Sequence, residues 1–535
     1  MNMKFAEALI ELLELEGVKY VFGHPGEQIL PLYEALRIST IKHVLMRHEQ
    51  GAAHAADAYA RTSGKFGVCI ASAGPGALNL TMGIATAYKD SVPLLVITGD
   101  VPLHMKGYNV FQEVDTSAVF KPITLESTSI KNSGEGLNKL KEAVNTFKKG
   151  RTGPIHLSIP RDVFDEDMSH SLIDEAVYTP PKKQVNSQKV DEKILKSLKL
   201  IEKSEKPVII AGTGVIWSKA ADKLQSFANQ HHIPVATTYP ARGVYTFDEP
   251  LHLGMIGIRG TEAANYAGVN ADLVIALGTR LSERTMAGIG ECQIIQVNTN
   301  KKSLKGKVNL EMDVKRFFDH MKKIKTADHR DWLDSLAGLK RSYDIQTDFK
   351  EIPVKPQKAV KEILDAAQDA VIVNDAGSHT TWVTLLQKIK EPSSQIFSGG
   401  FGPMGYALPA SVGVALANPE KKVVVIVGDG GFQMTLQELA TIVQWKLPIV
   451  ICIINNQSLG IIKQWQKMNY GKIYEVELLN PDFVKLALSY GIDSVRVNAP
   501  DEIYLLMKKA LTGNKPYLLE VMVDKDEEIP LPRKD

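Results

Sequence analysis

Five consecutive β-branched residues, Val423 to Val427, run directly into Gly428-Asp429-Gly430. An apolar run without alternation is buried on both faces, as in a parallel sheet covered by helices on each side. Asp429 then stands at the carboxyl end of that strand, where open α/β sheets bind ligands. From Gly431 to Gln444 the spacing of Phe432, Leu436, Leu439, Ala440 and Val443 predicts a helix. Pro448 opens a second apolar run, Ile449 to Ile454, which ends at Asn455-Asn456. Asp429 and Asn456 are therefore expected at the tips of neighbouring strands. One carboxylate, one amide oxygen and one backbone carbonyl, that of Ser458, form the hard-oxygen set Mg²⁺ accepts when a phosphate supplies further ligands. Glycines 428, 430 and 431 let backbone approach such a phosphate closely. Singly, a Gly-Asp-Gly turn or an Asn pair is ordinary turn chemistry; the spacing between them is the informative signal.

With 535 residues the chain is expected to form about three domains. Its 44% hydrophobic content is enough for several cores. Lys plus Arg number 63 against 61 acids, a net charge of +2, so the balance calls for neither nucleic acid nor an anionic membrane. Cys69, Cys292 and Cys452 lie in or beside apolar runs without metal-ligand spacing, which predicts reduced thiols and no disulfide. The N-terminus reads as an amphipathic helix broken by Glu7, Glu11 and Glu14, and no apolar run approaches the ~20 residues of a membrane span. A cytoplasmic location is expected.

Two polar stretches, Asp165 to Glu192 and Lys325 to Lys358, read as linkers and divide the chain into domains at 1–165, 190–325 and 355–535. The outer two share a plan: Gly67 to Ala71, the turn Gly74-Pro75-Gly76, a helix, Pro93 and the strand Leu94 to Thr98 repeat the order seen from Val423 to Asn456. That points to duplication of one α/β domain. The middle segment alternates strands and helices as well, and the fold class expected is α/β, with three doubly wound parallel-sheet domains.

The Gly-Asp-Gly and Asn-Asn pair resembles the motif of thiamin diphosphate-dependent decarboxylases and synthases. That chemistry needs a buried acid against the cofactor's aminopyrimidine ring. Val44 to Met46, followed by Arg47-His48-Glu49 and an Ala-rich helix, fits such a strand-to-helix turn, and Glu49 resembles the family's catalytic glutamate. The alternative for Glu49 is an acid placed for the helix dipole.

Over its whole length, from Phe22-Gly23-His24-Pro25-Gly26-Glu27 to Tyr517-Leu518-Leu519-Glu520-Val521, the chain resembles the catalytic subunits of the acetohydroxyacid (acetolactate) synthases. The resemblance implies that the first domain binds the pyrimidine, with Pro25, Gly26 and Gly74 contributing, and that the last binds the diphosphate through Gly377-Ser378-His379. Gly402 and Met404 belong to the loop that props the bent cofactor. It further implies a homodimer or homotetramer in which Glu49 of one subunit serves its neighbour's magnesium site, and allows a small regulatory subunit. Phe111 walls the pocket and Gln112 faces the reacting centre; Trp465 lines the acceptor pocket; Arg284 receives the second substrate's carboxylate as a planar two-donor fork. Gly212, Gly214, Gly260 and Thr261 resemble the loops that hold a structural FAD, each a weak signal singly. The reaction implied is decarboxylation of pyruvate and transfer of the two-carbon unit to pyruvate or 2-oxobutanoate.

Departures from that pattern are Gly99-Asp100-Val101, Thr124-Leu125-Glu126, Ser282-Glu283, and Arg161 where the family has an active-site lysine. They leave open a 2-oxo-acid decarboxylase, or a carboligase with another donor or acceptor. A non-catalytic homologue is disfavoured by the joint presence of Glu49, Asp429 and Asn456.

Overall fold

The computed structural model describes residues 2–148, 150, 152–170, 187–322 and 324–531. The chain divides into two compact units. The first comprises Met1–Pro180, Thr347–Val383 and Ile396–Glu528; the second comprises Pro181–Gln346, Thr384–Gln395 and Ile529–Asp535.

The chain begins with β1 (Asn2–Lys4), where a continuous helix had been expected, and only then enters the helix Phe5–Leu15. The first sheet contains β2 (Tyr20–Gly23), β3 (Lys42–Leu45), β4 (Gly67–Ala71), β5 (Leu94–Asp100), β6 (Glu126–Ser129) and β7 (Pro154–Pro160). Its strands are all parallel, in the order β3-β2-β4-β5-β7-β6. Next, β8 (Asp167–Ser169) pairs antiparallel with β1, inside the segment expected to be a linker; residues 171–186 of that segment lie outside the described ones.

The second unit carries β9 (Pro207–Ala211), β10 (Val235–Thr237), β11 (His252–Met255), β12 (Leu273–Leu277), β13 (Gln293–Asn298) and β14 (Val308–Glu311). These are parallel in the order β11-β10-β9-β12-β13-β14, with the reversal between β9 and β12. The charged stretch after 325, read as a linker, contributes the helix Arg330–Ala337 to this unit. Its Trp332 and Leu336 are buried in the core and the Trp332 indole donates to the Pro207 carbonyl at 3.0 Å. Charges on its outer face concealed that two-residue apolar stripe.

The third sheet holds β15 (Val371–Asn374), β16 (Gln395–Ile396), β17 (Val423–Gly428), β18 (Ile449–Asn455), β19 (Asp493–Val497) and β20 (Tyr517–Met522). Its order is β16-β15-β17-β18-β20-β19, which, numbered from each sheet's first strand, equals the order of the first sheet. β17 and β18 pair in parallel from Val423↔Ile449 to Gly428↔Ile454, so Asp429 and Asn456 do emerge from adjacent tips. The single helix expected over Gly431 to Gln444 is instead broken into Asp429–Gln433, a 3₁₀ turn Leu436–Glu438, and Leu439–Gln444. At the break the Thr435 hydroxyl leaves the helical pattern and donates to the Gly405 carbonyl at 3.0 Å.

Within the first unit the helices Glu49–Ser63 and Ala407–Ala417 pack face to face through small residues. A Cβ on Gly413 would lie 1.9 Å from the Ala55 carbonyl oxygen, so the two backbones are in contact. A buried polar group closes the same junction. The Tyr406 hydroxyl donates to Asp57 at 2.7 Å, while Arg61 pairs with Asp57 (2.7 Å) and Asp90 (2.9 Å) and donates to the Phe397 carbonyl. Gly64, left-handed at φ 67°, ends the Glu49 helix.

Two measurements check this packing. Gly413→Ala is expected to destabilise the protein by about 1–3 kcal/mol in urea unfolding, because the added methyl overpacks the contact. Burial holds His54 and His156 neutral, pushed down from 6.5 to about 3. A folded value below the unfolded one means that stability present above pH 6.5 is lost as pH falls towards 3. At about pH 5 the loss is about 2 kcal/mol per ring, read as a lower urea midpoint than at neutral pH.

Candidate active site

The tips of β15, β17 and β18 surround a cavity that is open to solvent at its mouth. Gly428, Asp429, Gly430 and Gly431 line it from β17, and Asn456 and Ser458 from β18. Gly377, Ser378 and His379 enter from the turn after β15, and Met404 from the loop before the Ala407–Ala417 helix. Gly402 is not among the lining residues; it takes a left-handed φ of 69° in the same loop. The Met404 methyl comes within 3.3 Å of where a Gly430 Cβ would stand.

Asp429 is 1% exposed, and burial pushes its carboxyl above the usual range. A cation beside the carboxylate would offset that cost. The Asn456 side-chain oxygen accepts the Ser458 backbone N–H at 3.2 Å, an Asx turn that fixes the amide. One buried carboxylate beside one amide leaves most of an octahedron to phosphate oxygens and water, as Mg²⁺ prefers. Among the described residues, the His379 Nε2 and the Ser458 hydroxyl are buried without a hydrogen-bond partner, and both residues line the cavity. Burial also pushes His379 down to about 4, so its ring is neutral. These residues fit a magnesium diphosphate: orphaned polar groups, a glycine floor, and a carboxylate in need of a counter-charge.

Four contributors were missed by the sequence reading. The helix Gly460–Tyr470 begins at the cavity and offers its N-terminal N–H groups to an anion. Asp375, fully buried, accepts N–H bonds from Ala376, Gly405 and Ala407 at 2.7–2.9 Å and so ties the Met404 loop to β15; burial pushes it up to about 6. The Asn480 amide donates to Asp429 at 2.7 Å and to Asn455 at 3.0 Å, and accepts from Gln433. Glu438 grips the turn that precedes Glu49. Only the Asn480-Pro481-Asp482 turn and the acid after the apolar run Val371–Val373 left a local trace.

Glu49 does not line this cavity. It is the first residue of its helix and lies among the tips of the first sheet, where Asn79 donates to it at 2.9 Å. A Cβ on Gly76 would stand 3.1 Å from its carboxylate, and one on Gly74 2.6 Å from the Gln112 carbonyl. Gln112 is left-handed (φ 65°) with its side-chain oxygen buried and unpartnered, and Phe111 is 79% exposed. A Cβ on Gly26 would strike Ser72 at 2.5 Å, while Pro25 is exposed. Arg161 pairs with Glu27 at 3.2 Å, and Asp100 is buried against Lys106 at 2.7 Å, a counter-ion for that departure from the family pattern. Leu125 packs against the first sheet's core. Trp465 stands 49% exposed on the Gly460 helix.

In the second unit, Gly212 and Gly214 abut Gly278, with a Gly212 Cβ 2.5 Å from the Gly278 oxygen. Thr261 caps the helix Glu262–Asn270, and Gly260 leaves room for Asn265. Each residue expected to hold FAD therefore also serves the local fold. The Arg284 carbonyl accepts the Ile258 N–H at 2.9 Å, and burial, with a smaller contribution from the charge of Arg284, holds Arg259 below its ordinary value.

Residues 3–119 match the thiamine pyrophosphate enzyme N-terminal TPP binding domain, 194–321 the central domain, and 375–521 the C-terminal TPP binding domain. A probable acetolactate synthase large subunit of Methanocaldococcus jannaschii is 41% identical, covering 99% of this chain and 93% of the relative. The acetolactate synthase large subunit of Lactococcus lactis is 36% identical, covering 98% and 93%. The chain belongs to the acetolactate synthase large-subunit family of thiamine pyrophosphate enzymes. Within that family frame, the cavity corresponds to the C-terminal TPP binding domain and Glu49 to the N-terminal one.

Asp429→Ala is expected to weaken Mg²⁺-dependent thiamin diphosphate binding by at least about tenfold, since a buried charged contact is lost. Titration of tryptophan fluorescence with the cofactor at fixed Mg²⁺ checks it.

Proposed function

We propose that this chain is a thiamin diphosphate- and Mg²⁺-dependent acetolactate synthase, which decarboxylates pyruvate and transfers the acetaldehyde unit to a second 2-oxo acid in branched-chain amino acid biosynthesis. The observation that carries the reading is the conjunction of near-full-length similarity to acetolactate synthase large subunits with Asp429 and Asn456 at adjacent strand tips over the cavity. Thiamin diphosphate, when bound, supplies a carbon nucleophile and an electron sink for the decarboxylation.

The chain's own groups then divide the work. Asp429, Asn456 and the backbone at Ser458 hold the metal, while His379, Ser458 and the Gly460 helix terminus receive the diphosphate. Met404 supports the middle of the cofactor. Glu49, steadied by Asn79, holds the proton exchanged with the pyrimidine ring. Gln112, with its unpartnered oxygen, faces the reacting centre beside Phe111, and Trp465 shapes the acceptor pocket. Arg284 receives the acceptor's carboxylate, a charge that would relieve its repulsion with Arg259. Arg161 supplies positive charge at the edge of the pyrimidine half.

Because Glu49 lies outside the cavity of its own chain, the working unit is a homodimer, or a pair of dimers, with each Glu49 serving its neighbour. A structural FAD belongs to the second unit, supported by the β9/β12 switch point at which doubly wound sheets bind dinucleotides. A regulatory subunit and a cytoplasmic setting complete the reading; no described helix is long and apolar enough to cross a membrane.

Purified protein with thiamin diphosphate, Mg²⁺, FAD and pyruvate is expected to form acetolactate, detected by its acid conversion to acetoin. Glu49→Gln should reduce that turnover by about 10²-fold or more while the cofactor still binds. Acetaldehyde and carbon dioxide without acetolactate would replace the synthase reading with a decarboxylase.

A further inference from the structure

Glu438 is 0% exposed, and burial pushes its carboxyl above the usual range. On an unbroken helix from Gly431 to Gln444 it would lie off the apolar stripe. The break at Thr435 leaves it instead at the end of a 3₁₀ turn, directed at the backbone between β3 and the Glu49 helix. There it accepts the Arg47 N–H at 3.1 Å on each oxygen, the His48 N–H at 3.1 Å and the Thr441 hydroxyl at 2.8 Å. The chain is close enough that a Cβ on Gly51 would stand 2.4 Å from the same carboxylate.

Two ordinary explanations for such a buried acid are met by other groups. The helix N-terminus already has its cap, the His48 ring, which accepts the Gln50 N–H at 3.1 Å. The Arg47 guanidinium is directed to the Leu45 carbonyl (2.9 Å) and to Gln444 (2.8 Å). Burying an acid is costly unless its hydrogen bonds are made; apart from the Thr441 hydroxyl, the donors here are the N–H groups of the two residues immediately before Glu49.

We propose that Glu438 is a positioning residue for the Glu49 carboxylate, holding the Arg47–His48 backbone so that Glu49 is presented in one orientation to the pyrimidine ring. This rests on the thiamin diphosphate reading above. Glu438 does not line the cavity. It lies nine residues beyond Asp429, so one continuous segment carries the metal-binding acid at its start and fixes the base-bearing turn at its end.

The test compares wild type with Glu438→Ala, Glu438→Gln and Thr441→Val in the full chain. Three quantities are read: the thiamin diphosphate dissociation constant at saturating Mg²⁺, the rate at which the C2 proton of the bound cofactor exchanges with deuterium, and kcat against KM for pyruvate. Glu438→Ala is expected to lower the exchange rate and kcat together by about 10²-fold, the scale of a misplacement near 1 Å, with the dissociation constant and KM changed less than about twofold. Glu438→Gln, which keeps one acceptor oxygen for the turn, should fall between Ala and wild type and carries the test if Ala does not fold. Thr441→Val, which removes the hydroxyl with its bond to Glu438 and its contact with the Leu45 carbonyl at 3.2 Å but leaves the Arg47 and His48 N–H bonds, should exchange at the wild-type rate.

Exchange at the wild-type rate in a folded Glu438 variant overturns the proposal. So does a loss of cofactor affinity that parallels the loss of kcat, because Glu438 would then be supporting the cavity. Failure of the wild-type protein to bind thiamin diphosphate would overturn the functional reading and, with it, this proposal. Binding and exchange in wild type with unaffected Glu438 variants would sink the positioning role alone.

Discussion

The backbone contact between the Glu49–Ser63 and Ala407–Ala417 helices is the constraint on which the first unit depends. It joins two sheets of the same strand order, and it exists because Gly413 leaves no side chain between its helix and the Ala55 carbonyl. Buried alanines at 52, 53, 55, 56, 58 and 60 keep this helix slim on several faces, Ala53 meeting Gly83 and Ala56 meeting Gly67. Such a surface gains little apolar burial per residue, and the junction adds the Tyr406–Asp57–Arg61–Asp90 group, whose buried charges are mutually satisfied. Removing Arg61 would leave two buried carboxylates without their counter-charge.

What could be read in the sequence was what is local. The runs Val423–Val427 and Ile449–Ile454 are strands because both faces are covered, and their tips carry Asp429 and Asn456 as their spacing implied. Glu49 does open the Ala-rich helix. Contacts made over long separations left no such trace. Glu438 and Arg47 are 391 residues apart, and nothing near either residue indicates the pairing. Asn480 reaches Asp429 across 51 residues in the same way. The broken helix misled because its apolar spacing persists through the break, and only the tertiary bond from Thr435 to Gly405 interrupts it. The helix Arg330–Ala337 was hidden by its charged outer face.

The polar groups behind Asp429 form a chain that reaches the protein surface. Asn480 bridges Asp429 and Asn455; Asn455 donates to Glu520 at 2.7 Å; Arg496 binds Glu520 at 2.8 Å and Asp482 at 3.1 Å. Outer partners of this kind orient metal ligands and limit their alternative rotamers. Asp375 does for the Met404 loop what this chain does for Asp429, through three backbone N–H groups and no side-chain partner. Both the Met404 loop and Asp429 are thereby referred back to the strands of one sheet.

The flat, glycine-notched helix contact also determines how placement error accumulates. Behind Glu49 the reference points are peptide groups: the Ala55 carbonyl against Gly413, and the Arg47 and His48 amides. Peptide units have two soft torsions per residue and, once hydrogen-bonded, very little play. Rotamer hopping among the side chains of this helix therefore adds almost no jitter to the carboxylate, whose uncertainty reduces to its own torsions. A carboxylate mounted in this way tolerates sequence drift around it well, so long as the residues that drift stay small.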